Sequence, residues 1–250
     1  MSGDEPRQLD LFSGAGVRAQ ATASPHPIAA TVAPERLDDA VLVMAIAGAS
    51  SAECRALAGE AGKRRLVAAV PALESLCRRF RGFGRDDPVT EQIAALDGLA
   101  MIGGAEAARA VAAIIRGDVV QGPGLGRAVA AAARLGVRLS PGNAARLLRH
   151  AGPEVRADAC RCAGAGAEVT AILIDLLGDL HPPVAAAAAC ALGRLGRIEA
   201  RPALIRLLAE TPSPEVIAAL AAVADQDCVV LLARLGRARP ELADAVLAAL

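Results

Sequence analysis

GPEVRADACRCAGAGAEVTAILIDLLGD (152–179) and HPPVAAAAACALGRLGRIEARPALIRLLAE (181–210) decide how this chain folds. Each opens on Pro and Val, runs through an Ala-rich segment, breaks at small residues and closes on a Leu-rich segment. A unit of about thirty residues that recurs in this way is the signature of stacked helix pairs. One such pair cannot bury its apolar faces alone, and stacking supplies the missing partner.

Two landmarks extend the register outward. The first helix of each unit, A, begins with an apolar residue after Pro or Gly: Val89, Leu125, Val155, Val184 and Val216, at spacings of 36, 30, 29 and 32. The second helix, B, carries an apolar pair near its end: Ile114-Ile115, Leu147-Leu148, Leu176-Leu177 and Leu207-Leu208. An earlier unit fits through Val70-Pro71-Ala72-Leu73, which matches Arg201-Pro202-Ala203-Leu204. Asp87-Pro88, Ser140-Pro141 and Ser213-Pro214 place a capping side chain before a proline at a first helical turn. Gly103-Gly104, Gly136 and Gly196 fall at A-to-B breaks, where a tight turn takes positive φ. No alternating run long enough for a strand is present. The expectation is an all-α array, an α-solenoid of about five to six helix pairs over 36–250, with 1–35 as a disordered tail and linker. Segment 21–34, ATASPHPIAATVAP, has linker composition.

Pro153-Glu154-Val155-Arg156, Leu192-Gly193-Arg194-Leu195-Gly196 and Ala200-Arg201-Pro202-Ala203-Leu204 resemble HEAT repeats of the short, bilin-lyase-like class. The resemblance covers about 36–250 and is strongest from 86 to 224. It implies a solenoid whose concave face is lined by B helices. It implies no single activity, because this scaffold hosts many functions.

Composition narrows the classes of function. The chain has 54% hydrophobic residues, no Trp or Tyr, and only Phe12, Phe80 and Phe83 as aromatics. So few rings argue against modules that stack bases. The formal net charge is zero, so recognition by charge must come from local patches. Of the 27 basic residues only Lys63 is lysine, a bias of a GC-rich coding sequence that carries no function. The N-terminal MSGDEPRQ has no apolar core for a secretory signal. No apolar run reaches the roughly 18 residues of a membrane helix. A cytoplasmic protein that uses no membrane is expected. Cys54, Cys77, Cys160, Cys162, Cys190 and Cys228 read as buried, reduced thiols. With no CxxC, HExxH or His-Glu pattern, no metal, cofactor or catalytic residue is assigned.

Gln8-Leu9-Asp10-Leu11-Phe12 is the sharpest short motif. It is similar to the pentapeptide by which bacterial replication and repair proteins dock on the DNA sliding clamp, and all five positions match. The resemblance implies an extended peptide that inserts Leu11 and Phe12 into an apolar pocket while Gln8 supplies hydrogen bonds. The alternative is an apolar patch folded back on the first helix. The overlapping Asp10–Gly16 is similar to the cofactor motif of DNA cytosine methyltransferases, but Val17-Arg18 depart from it and no Pro-Cys dipeptide exists. That reading is set aside.

Register also aligns Arg78, Arg116 and Arg149 at one B-helix position, with Arg79, Arg81 and Arg85 thickening the patch; Gly178 and Ala209 end the column. Two readings stand open: a stripe for an acidic peptide or phosphate backbone, or arginines placed by the helix dipole and simply solvated. The leading expectation is a non-catalytic adaptor that holds a protein partner in its groove and is recruited to the sliding clamp through Gln8–Phe12. Beside it stand a DNA-repair accessory that binds nucleic acid through the arginines, and a bilin-lyase-like enzyme, which requires a deep pocket. Leu242–Leu250 reads either as a dimer contact or as a last helix folded on the array, so monomer and dimer both remain open.

Overall fold

The computed structural model describes residues 33–250. After a short turn at Pro34–Arg36, the chain forms α1 (Asp39–Gly48), whose N-terminus is capped by Asp38 accepting from Val41 N–H at 2.8 Å. Six A/B pairs follow: α2 (Cys54–Lys63) with α3 (Val70–Arg79), α4 (Thr90–Ile102) with α5 (Gly104–Arg116), and α6 (Gly124–Arg134) with α7 (Pro141–Leu148). The second three are α8 (Pro153–Cys162) with α9 (Ala167–Asp175), α10 (Pro182–Arg194) with α11 (Arg201–Glu210), and α12 (Pro214–Ala221) with α13 (Gln226–Ala238). A final helix, α14 (Ala243–Ala249), closes the chain. The described residues contain no strand.

The even-numbered helices pack on one another in an unbroken row, α2 on α4 through to α12 on α14. The B helices form the second layer, with α1 against α3 as an unpaired leading member. One apolar core runs from Leu42 in α1 to Val246 in α14. Residues 33–250 form an all-α solenoid of HEAT-like helix pairs.

Close approach explains the Ala and Gly content of the A row. A Cβ on Gly98 would sit 3.0 Å from the Ala58 carbonyl oxygen, and one on Gly193 would sit 2.6 Å from that of Ala219. The turn glycines behave as their positions require. Gly103, Gly104, Gly136 and Gly196 have φ of 74°, 77°, 66° and 69° at A-to-B breaks.

Local details differ from expectation at three places. Ser213 caps α12 through Val216 N–H at 3.3 Å, but the Ser140 side chain makes no cap bond, and Asp87 lies in a loop because α4 starts only at Thr90. The Leu176-Leu177 landmark falls in a short 3-10 turn, Leu176–Gly178, directly after α9. At the C-terminus α14 folds onto α12 and α13 with Val246 buried against Gly236. Leu247 and Leu250 stay exposed.

Candidate interaction surface

B helices run in one direction, so their C-termini and the loops to the next A helix share one edge of the array. Arg78 and Arg79 end α3, Arg116 ends α5 and Arg149 caps α7. The arginine column therefore lies along this loop edge. There the last carbonyls of each B helix present negative partial charge, which favours a cation. Arg78 reaches the end of the next B helix: one of its guanidinium nitrogens lies 3.7 Å from where a Cβ of Gly117 would be, one residue past Arg116.

The column is not uniform in its bonding. Arg78 is tied to Glu74 at 2.6 Å within its own helix, and Arg149 to Glu168 at 2.8 Å. Arg79 donates to the carbonyls of Ala47 and Ala49 at the end of α1, which gives it a packing role. Arg81, Arg85 and Arg116 are exposed and reach no acidic side chain among the described residues. Gln8–Phe12 lie outside the described residues.

The edge is pinned from below by Gln92, which is 1% exposed in α4. Its amide donates to Cys77 O at 3.3 Å, Phe80 O at 3.1 Å and Val119 O at 3.2 Å, which joins the ends of α3 and α5. Cys77 O and Phe80 O also accept backbone bonds, whereas Val119 O has no other donor among the described residues. Gln92→Leu removes the amide donor and strands that carbonyl, so the expected loss is about 1–3 kcal/mol in chemical denaturation.

Arginine has a second use that the sequence does not announce. Arg138 and Arg194 both donate to carbonyls at the end of α8, Arg201 to Val223 O after α12, and Arg64 to Pro34, Glu35 and Leu37. Burial, then the nearby Arg138 charge, pulls the Arg194 guanidinium below its ordinary value. A planar fork of donors satisfies two helix-end carbonyls at once, which a lysine ammonium does poorly. The scarcity of lysine thus coincides with a structural role, although coding bias alone was expected.

Nothing in the cysteines suggests reactivity. Burial pushes the thiols of Cys77, Cys160 and Cys162 up to about 12 and that of Cys190 to about 11. Cys160 and Cys162 are buried but separate. His150 accepts from Gly152 N–H at 3.0 Å, and His181 sits at the N-terminus of α10 beside Asp179. Among the described residues no three His, Cys, Asp or Glu side chains gather as metal ligands would. Two open clefts are present. One, of about 400 Å³, is lined by Arg65, Met101, Gly103, Gly104 and Arg134; the other, of about 210 Å³, by Leu177, Ala185, Ala203 and Leu207 with Arg206 and Glu210.

These features define a repeat scaffold with a basic loop edge. Residues 140–225, from α7 to the turn after α12, match the HEAT repeats family. Comparison with curated proteins gives no match. Repeats of this kind generally serve as protein-interaction scaffolds, and the match indicates no catalytic family. No helix among the described residues is long and apolar enough to cross a membrane.

Proposed function

We propose that the protein is a non-catalytic adaptor: its stacked helix pairs hold a protein partner on the B layer, and Gln8–Phe12 recruit it to the DNA sliding clamp. The observation that carries the scaffold reading is the HEAT repeat match over 140–225 on a continuous two-layer stack. Each pair contacts only its neighbours, so the stack offers a long, rigid surface whose exposed positions are free to vary. The clamp reading is supported by the complete five-position likeness of Gln8-Leu9-Asp10-Leu11-Phe12. Leu11 and Phe12 act as the apolar anchors in that reading, and anchors of this kind dominate short-peptide affinity.

Purified sliding clamp and the full-length chain test it by surface-based binding. Wild type is expected to bind. Leu11→Ala/Phe12→Ala is expected to weaken binding about 30-fold or more, since each lost anchor removes about 1–2 kcal/mol. Thermal melting of the solenoid stays unchanged in that variant. Absence of binding by wild type removes the clamp from the reading.

A further inference from the structure

Two of the three aromatic residues in the chain, Phe80 and Phe83, stand in one loop between α3 and α4. The run reads Arg78-Arg79-Phe80-Arg81-Gly82-Phe83-Gly84-Arg85 and contains four arginines and no acid. The paucity of rings, averaged over the chain, conceals this concentration.

The loop is built, and its outer ring is open. The Arg79 guanidinium, fixed by the carbonyls of Ala47 and Ala49, lies 5.0 Å from the centre of the Phe80 ring. Phe83 meets Phe80 edge to face, with centroids 6.4 Å apart and planes at 75°. Phe83 is nevertheless 63% exposed, so most of the ring faces solvent. Gly82 and Gly84 turn the backbone at φ of 85° and 77°. The loop rests on its neighbour at Gly122, where any Cβ would collide with the carbonyl oxygens of Gly84 and Arg85. Gln92 holds the roots of both loops.

Arg81 and Arg85 flank Phe83 in the same loop, and Arg116 ends α5, whose following loop is joined to this one through Gln92; all three are exposed and without an acidic partner among the described residues. Asp86 and Asp87 close the loop and Asp118 lies in the next one, 3.8 Å from Arg146. The local surplus of positive charge is therefore modest, and a ligand must gain from the ring as well as from the guanidiniums.

We infer that this loop edge binds a single-stranded polynucleotide, with an unpaired base stacked on Phe83 and its flanking phosphates on Arg81, Arg85 and Arg116. Aromatic platforms beside arginines are how proteins hold unpaired strands without reading sequence. Duplex DNA buries its base faces in the stack and leaves Phe83 unused. An acidic peptide would satisfy the guanidiniums but offers no flat ring. The inference goes beyond the adaptor reading and does not depend on it.

Fluorescence anisotropy with the full chain tests it, using labelled fifteen-mers of thymidylate and of uridylate so that DNA and RNA are separate arms. Wild type is expected to bind at least one of them, with log K falling against log salt at a slope of about −2, as three phosphate contacts give for single strands. Phe83→Ala is expected to weaken binding about tenfold with the slope unchanged. Arg81→Ala/Arg85→Ala/Arg116→Ala is expected to flatten the slope toward zero. Leu11→Ala/Phe12→Ala keeps the binding, which separates this surface from the clamp motif. The inference is overturned if wild type binds neither oligonucleotide, if Phe83→Ala binds as wild type, or if duplex DNA or polyglutamate competes as well as the single strand. All positions changed on the loop edge are exposed, and unchanged melting curves verify that the fold persists.

Discussion

Gly193→Ala is expected to destabilise the protein by about 2–3 kcal/mol, even though alanine is the better helix former by about 1 kcal/mol. Gly193 lies inside α10 with its face against α12. A Cβ there would stand 2.6 Å from Ala219 O and 2.8 Å from Ala219 Cβ. Both atoms belong to backbone or to the first side-chain atom, so no rotamer change relieves the clash and the two helices must part. Gly59→Ala is the control. That glycine lies within α2 with nothing within 4 Å of an added Cβ. The same substitution there is expected to stabilise by about 0.5–1 kcal/mol. Urea denaturation of both variants reads the difference. In a solenoid the damage localises, since α12 to α14 are joined to the rest chiefly through α10 and α11. The Gly193→Ala transition is therefore expected to broaden or split. A neutral Gly193→Ala would mean that α10 and α12 do not approach so closely.

Gly193 also shows why the fold was legible in the sequence. In Leu192-Gly193-Arg194-Leu195-Gly196 several positions each have one task. Leu192 is fully buried, Gly193 admits α12, and Gly196 turns the chain at φ 69°. Such constraints are local or act between adjacent units, so a repeating pattern registers them. The caps were less legible. Ser140, Ser213 and Asp87 look alike before proline, yet only Ser213 bonds a helix N–H, because a cap depends on backbone angles as well as residue type.

The surface was legible in part. Register aligned Arg78, Arg116 and Arg149, and the structure carries Arg78 as far as Gly117, next to Arg116 in the chain. Which arginines keep an open fork is decided by neighbours distant in sequence, and no spacing rule reports those. Arg79 meets carbonyls about thirty residues upstream, a separation that follows only from stacking α3 on α1. The Phe80–Phe83 pair carried a local signal, an aromatic repeat among arginines and glycines, which a chain-wide count of rings dilutes.

Arg156→Ala is expected to have the larger effect on stability, about 3–5 kcal/mol, because it leaves a buried carboxylate without its partner. Arg156 belongs to the Pro153-Glu154-Val155-Arg156 motif in α8. It reaches the loop before α10, where Nε and Nη2 meet the two oxygens of Asp179 at 2.9 and 3.0 Å. Its remaining nitrogen donates to the carbonyls of His150 and Ala151 after α7. One side chain thus joins three successive units, with the ion pair only 13% and 8% exposed. The Arg156 bonds, helped by the His181 backbone N–H, hold the Asp179 carboxyl at about 2, below its ordinary 3.8. A depressed carboxyl contributes stability that is complete above its unfolded value and is lost as pH falls through the folded one. The difference corresponds to about 2 kcal/mol at most, disappearing between about pH 4 and pH 2. The gap between the denaturation midpoints of wild type and Arg156→Ala is therefore expected to narrow as the solution is acidified and Asp179 is protonated in both, leaving the part due to the carbonyl bonds. The cycle with Asp179→Ala separates the pair from its surroundings. The double variant is expected to be more stable than Arg156→Ala alone, because removing Asp179 removes the stranded charge. If the double variant is the weaker, the carbonyl bonds of Arg156 carry the joint and the ion pair does not.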